Sequence, residues 1–322
     1  MSVRARVLFM GTPAFAVPSL RALLQRHDVV AVVTQPDRPV GRGGKLTPPP
    51  VKVVAEEAGV PVLQPKSLRR PELHAQLASY GADVFVVVAY GRILPPEVLA
   101  IPPKGCLNVH ASLLPRWRGA APIAAAIAAG DQETGVTIML IGQGLDDGPI
   151  LAMRAEPIRP DDTTATLSER LAHLGAELLI ETLPRWLAGE ITPQPQDERR
   201  ATYAPMLRKE DGLLDFRLPA VVLERRCRAF TPWPGTYTYY KGHLLKVLRC
   251  RVLDEAAAKL DPRERRPGLV VQTAEGPAVV TGEGLLLLEQ VQLEGKRPVS
   301  GADFARGYRD FVGSVLGESA GT

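Results

Sequence analysis

Cysteine is scarce: Cys106, Cys227 and Cys250 are the only three in 322 residues, and none belongs to a CxxC pair. That spacing excludes a disulfide framework and a cysteine-based zinc site, and it fits a reducing, cytoplasmic location. Long apolar runs are also missing. The longest, residues 84–90 and the alanine-rich 120–129, fall far short of the ~20 residues of a membrane span. Charge is nearly balanced, at a net +4. With 45% apolar and 23% charged residues, the chain is excluded from the class that stays disordered over most of its length. At 322 residues this composition suits two domains with cores of their own. Asparagine is rarer still, occurring once, at Asn108, against 30 prolines. Few asparagines and many prolines suit a heat-adapted protein, although the excess of arginine over lysine is equally explained by arginine-rich coding.

At the N-terminus, Arg4 and Arg6 before Val7-Leu8-Phe9-Met10 imitate a signal peptide. The run is broken by Gly11-Thr12-Pro13, and residues 15–26 follow with a helical period, so it reads as a buried β-strand. Residues 5–11, 29–34, 83–90, 106–111 and 136–141 read as strands, and 51–58, 71–79, 122–129 and 164–187 as helices. This alternation predicts an α/β domain with a mostly parallel sheet and helices on both sides, in which ligands bind beyond the carboxyl ends of the strands. Residues 191–205 hold three prolines among polar and charged residues and read as a linker. From about residue 208 short strand-like runs dominate (236–240, 244–251, 268–272, 278–281 and 285–292), followed by a short helix at 301–308. They predict a small β-barrel. The expected division is 1–189, a linker at 190–207, and 208–322. Within residues 217–251 eight basic residues face one acidic residue, Glu224, and aromatics are interleaved with them. Such a surface suits a nucleic acid, the alternative being a solvated basic face.

The first strand is not followed by GxGxxG, and the glycine-rich stretch Gly41-Arg42-Gly43-Gly44-Lys45 lacks the GxxxxGK[ST] spacing. Dinucleotide and Walker-type sites are therefore unsupported. That basic loop is suited to gripping phosphates or folding over a substrate, or else it is a mobile connector. The sharper signal is Asn108-Val109-His110. On a strand, residues i and i+2 face the same way, so the single asparagine and an imidazole project together near a strand end. A carboxylate to orient the imidazole is available in Gly142-Gln143-Gly144-Leu145-Asp146-Asp147-Gly148. Two adjacent aspartates and one histidine make no convincing metal set, and no metal is expected.

Asn108-Val109-His110 continues as Ala111-Ser112-Leu113-Leu114-Pro115-Arg116-Trp117-Arg118-Gly119, with Leu145-Asp146-Asp147-Gly148 downstream. Together these resemble the 10-formyltetrahydrofolate-dependent formyltransferases. Phe9-Met10-Gly11-Thr12-Pro13, Thr34-Gln35-Pro36-Asp37-Arg38, Pro50-Val51-Lys52 and Phe230-Thr231-Pro232-Trp233-Pro234-Gly235 extend the likeness from residue 7 to about 309, and narrow it to members that formylate methionyl initiator tRNA. The resemblance implies a Rossmann-type catalytic domain and an OB-like, tRNA-binding C-terminal β-barrel. It also implies 10-formyltetrahydrofolate as co-substrate and initiator methionyl-tRNA as partner. By the same resemblance the catalytic residues are Asn108, His110 and Asp146. Folate contacts fall on Ser112, Leu113, Leu114 and Pro115, with Arg92, Ile93 and Leu94 lining the pterin pocket, and tRNA contacts on Arg42, Lys45 and Lys209. Asp147 departs from the pattern, since many members carry threonine or another polar residue there. Asp146 matches the Leu-Asp-x-Gly element.

The chemistry agrees with these residue types. A free amine attacking a formamide-like carbon creates an oxyanion. Asn108 is suited to donate to it, and His110, oriented by Asp146, is suited either to polarise the same oxygen or to carry the amine proton. Rival readings are a formyltransferase for a small amine (glycinamide ribonucleotide or an amino sugar), a formyltetrahydrofolate hydrolase, and a nucleic-acid-binding protein on an inactive scaffold. The basic barrel argues against the first two, and the intact trio against the third. The expected molecule is a monomer with no membrane attachment.

Overall fold

The computed structural model describes residues 4–40, 44–254 and 265–317. They form two compact units: Met1–Pro122 with Glu133–Pro157 and Leu167–Pro205, and Ile123–Gln132 with Ile158–Thr166 and Met206–Thr322.

In chain order the elements begin with β1 (Arg6–Gly11), α1 (Val17–Arg26), β2 (Asp28–Val33), β3 (Arg38–Val40), β4 (Lys45–Thr47) and α2 (Pro50–Glu57). There follow β5 (Val62–Leu63), α3 (Pro71–Ser79), β6 (Val84–Val88), α4 (Pro96–Leu99), β7 (Cys106–His110) and β8 (Arg118–Gly119). Then come α5 (Pro122–Ala129), β9 (Glu133–Leu140), β10 (Ile150–Pro157), α6 (Thr164–Leu187) and β11 (Tyr203–Ala204). Part of the proline content has a local use here. Pro18, Pro50, Pro71 and Pro96 stand in the first turns of α1 to α4, where a missing N–H leaves no helical bond unmade.

The main sheet has the order β10-β9-β7-β6-β1-β2-β5. β1, β2, β5, β6 and β7 are parallel, as expected. β9 runs antiparallel to β7, and β10 antiparallel to β9, a reversal that residue patterning does not disclose. β6 is buried at every position, as befits a strand covered on both faces. Leu8 and Met10 of β1, Phe85 and Val87 of β6 and Cys106 of β7 share a core with Leu73 and Leu77 of α3 and Val98 of α4. Val109, on the opposite face of β7, meets α6, where a Cβ on Gly175 would stand 2.8 Å from Val109 Cγ1. Glycine thus lets α6 lie close against the strand that carries Asn108 and His110.

The second unit adds α7 (Ala220–Ala229), β12 (Thr236–Tyr240), β13 (His243–Leu253), β14 (Val270–Thr273), β15 (Gly276–Val280), β16 (Leu285–Leu293), β17 (Val299–Ser300) and α8 (Gly301–Gly307). Its sheet is antiparallel, in the order β12-β13-β16-β15-β14, with β17 beside β16. The C-terminal segment joins the two edges. Val270 N–H donates to Ser314 O (2.9 Å), Leu316 N–H to Gly268 O (2.8 Å), and Gly317 N–H to Tyr239 O on β12 (3.1 Å). The result is an OB-like barrel. Its core includes Leu223 and Cys227 of α7 and an aromatic group in which Phe304 stacks on Tyr308 with ring centroids 4.4 Å apart. All three cysteines are free thiols.

Replacing Gly175 by valine must push α6 off β7, and overpacking of this kind costs about 2 kcal/mol. A lower urea midpoint at unchanged m-value is the expected result of chemical unfolding.

Candidate active site

Asn108 and His110 lie on the same face of β7, His110 with 6% of its surface exposed. The carboxylate arrives by an indirect route. Because β9 runs antiparallel to β7, the loop after it starts level with Cys106, whose carbonyl accepts from Ile141 N–H at 2.8 Å. The loop then carries Asp146 back along β7. There Asp146 Oδ2 stands 3.6 Å from His110 Nδ1 and accepts from Gly119 N–H at 2.8 Å. Asn108 Nδ2 reaches Asp146 Oδ1 at 3.5 Å, the outer limit of a hydrogen bond. The neighbouring Asp147 turns into its own loop. A Cβ on Gly144 would stand 2.2 Å from its Oδ2, and one on Gly142 2.6 Å from its Oδ1, so both glycines are needed for its approach.

On the other side of the imidazole, Nε2 is 2.9 Å from Trp117 O. A carbonyl oxygen only accepts, so Nε2 carries the hydrogen, and in the neutral ring Nδ1 presents its lone pair toward Asp146. A proton arriving at Nδ1 therefore meets a carboxylate already in place. Cys106, at the start of the same strand, offers no competing nucleophile, because burial pushes its thiol up to about 12.

The Ser112–Pro115 turn packs inward. Ser112 Oγ donates to Arg116 O (2.6 Å), Thr137 Oγ1 of β9 donates to Ser112 O (2.6 Å), and Leu114 N–H donates to Thr137 Oγ1 (3.1 Å). Ser112 and Leu114 are buried, and Leu113 and Pro115 are half-buried, Leu113 lying against Gly135 of β9. At the end of β6, Arg92 donates to Lys66 O, Leu94 is buried, and Ile93 is 89% exposed. Gln35 Nε2 holds the start of that loop by donating to Tyr90 O (3.0 Å) and Gly91 O (3.1 Å). Lys45 is exposed on β4, and Lys209 is exposed on a short turn of the second unit. Arg42 lies outside the described residues.

The trio has supports that residue patterning alone did not assign. Arg118, 2% exposed, donates from Nε and Nη2 to Gln196 Oε1 (3.0 and 2.8 Å), and pairs with Glu198 at 2.7 Å. Gln196 Nε2 donates in turn to Asp146 O (2.8 Å) and Gly148 O (2.7 Å). Arg116-Trp117-Arg118-Gly119 gave no sign of which arginine is buried. Gln196 carried no sign either. Among the described residues no group of His, Cys, Asp and Glu is placed to hold a metal ion, and no helix is long and apolar enough to cross a membrane.

Comparison with known proteins gives the family. Residues 3–183 match the formyl transferase family, and residues 206–309 match the formyl transferase C-terminal domain. A methionyl-tRNA formyltransferase of Myxococcus xanthus is 53% identical over 97% of each chain. Another, from a Roseiflexus species, is 50% identical over 98% of this chain and 96% of its own. In fold, the chain is similar to HypX from Aquifex aeolicus, solved in complex with tetrahydrofolic acid. The TM-score is 0.62 at 19% identity, over 98% of this chain and 49% of that one, so this chain spans about half the length of HypX. With both of its parts matched and its relatives about half identical from end to end, the chain belongs to the formyl transferase family.

Proposed function

We propose that this enzyme transfers the formyl group of 10-formyltetrahydrofolate to the α-amino group of methionyl initiator tRNA, giving formylmethionyl-tRNA for translation initiation. The observation that carries the reading is the meeting of one amide donor, one imidazole and one carboxylate at Asn108, His110 and Asp146, in a chain whose relatives of that name align along nearly its whole length.

In this reading the amine nitrogen bonds to the formyl carbon, the carbon–N10 bond of the folate breaks, and the amine's proton ends on N10. Asn108 Nδ2 has a hydrogen beyond the one facing Asp146 and donates it to the developing oxyanion. His110 takes the amine proton at Nδ1, where Asp146 at 3.6 Å turns a lone pair facing an anion into an ion pair, and then passes it to N10. The Nε2 hydrogen bond to Trp117 O supports assigning the histidine to proton transfer. Direct transfer needs only that both substrates be held together.

Residues 1–189 are read as the catalytic domain, 208–322 as the OB-like tRNA-binding domain, and 190–207 as the connection. Ser112, Leu113, Leu114, Pro115, Arg92, Ile93 and Leu94 are assigned to the folate side, and Arg42, Lys45 and Lys209 to the tRNA. The enzyme is read as a cytoplasmic monomer.

Asn108→Ala is expected to lower the transfer rate by about 10²–10³-fold, and His110→Ala by about 10²–10⁴-fold, with tRNA binding retained. Quench-flow rates beside filter binding measure both. Joint loss of rate and binding would mean misfolding instead. Offered methionyl initiator tRNA, methionyl elongator tRNA and glycinamide ribonucleotide side by side, the enzyme is expected to prefer the first. Transfer to the ribonucleotide, or formate release without an acceptor, would overturn the assigned acceptor while keeping the trio. Binding of tRNA should weaken steeply as salt rises, because phosphate contacts release counterions, and a flat response sinks the basic surface as the docking site.

A further inference from the structure

A buried guanidinium is costly unless its donors are matched, and Arg118 has them matched to one short stretch of chain. Gln196 Oε1 takes two of its N–H groups, Glu198 takes two more at 2.9 and 2.7 Å, and the Tyr203 hydroxyl supplies a further contact. The amide of Gln196 can point only one way, its oxygen to a guanidinium and its nitrogen to two carbonyls. Its bonding capacity is then filled, and both nitrogen hydrogens close on Asp146 O and Gly148 O.

Asp146 needs such a grip. Its φ is +48°, in the left-handed region, which aspartate enters more readily than most non-glycine residues but still at a cost that its surroundings must offset. Its carbonyl is fixed by Gln196, and its carboxylate by Gly119 N–H, the peptide next to Arg118. The same stretch is tied to the site at several further points. Gln194 exchanges backbone bonds with Ile150 at 2.8 and 2.9 Å, Arg118 N–H donates to Thr202 O at 2.9 Å, and Ala120 N–H donates to Ala204 O at 2.9 Å. Residues 194–204 thus form a strap across the loop that presents the carboxylate.

We propose that this stretch is part of the catalytic machinery, and that Gln196, oriented by Arg118, is the positioning residue for Asp146. The inference rests on the reading of Asp146 as a member of the trio. A misplacement of the carboxylate by an ångström lowers the rate of chemistry without touching the surfaces that bind either substrate.

The test measures single-turnover formyl transfer, KM for formyl donor and tRNA, and the unfolding midpoint for Gln196→Met, Gln196→Glu, Arg118→Lys and Asp146→Asn. Gln196→Met keeps the volume and removes every polar bond. Gln196→Glu keeps the acceptor toward Arg118 and removes both donations to the loop. Both are expected to slow transfer by about 10- to 100-fold with either KM within about twofold of wild type. Arg118→Lys, retaining charge but not the fork, is expected to fall between them and wild type. Should Gln196→Met fail to fold, Gln196→Glu carries the test, because it retains its bonds to Arg118. A wild-type rate in folded Gln196→Glu, or KM values rising in step with the loss, overturns the positioning role. If Asp146→Asn itself transfers at the wild-type rate, the reading of Asp146 fails; if Asp146→Asn is slow while both Gln196 variants are fast, only the strap fails.

Discussion

The carboxylate of Asp146 stands beside His110 although its loop leaves the sheet at the far end of β7. Holding it there is a requirement that much of the first unit meets. The loop has to fold back along β7 from the level of Cys106 to that of His110, turn through a left-handed backbone at Asp146, and be held there. Gly119 N–H, the Gln196 amide and the buried Arg118 answer that requirement together, and each would be a liability alone. A guanidinium at 2% exposure is tolerable because Glu198 and Gln196 match it, and Gln196 is placed because the guanidinium is there.

The imidazole is governed by the same economy of donors and acceptors. Trp117 O accepts from Nε2 on one side and Asp146 waits at Nδ1 on the other, so the ring has one orientation and one free position for a proton. Trp117 belongs to the turn that begins at Ser112, and that turn is anchored by Thr137 of β9, the residue opposite His110 in the sheet. The turn that Thr137 anchors therefore also orients the imidazole through Trp117 O.

Much of this was legible in the residues, and what was not has physical reasons. The period-2 rule put Asn108 and His110 on one face, and β7 at Cys106–His110 stands where residues 106–111 read as a strand. Helices α3 and α6 coincide with their sequence readings. β10 was not legible: it is an edge strand in which Met153 and Ala155 are exposed while Arg154 and Glu156 are half-buried, paired with Glu181 and Arg170, so residue type misreports its faces. Helix α7 was hidden by its charge, since Glu224, Arg225, Arg226 and Arg228 dilute the apolar stripe of Leu223 and Cys227. The direction of β9 leaves no trace in residue types at all. Residues 191–205 read as a linker because proline and charge dominate them, yet several of their polar groups are bonded to the loop of Asp146 and the turn after β7. Composition reports solvent preference, and it cannot tell water from a matched polar partner.

The closure of the barrel has a consequence for how the chain is made. β14 presents an open edge, and β12 one bonded at Tyr237 by Leu214, until residues 313–317 arrive to bond with both. The second unit therefore stays open between the emergence of β12 and that of residues 313–317, and its interval of greatest exposure to misassembly lies there, in the part of the chain richest in antiparallel strands.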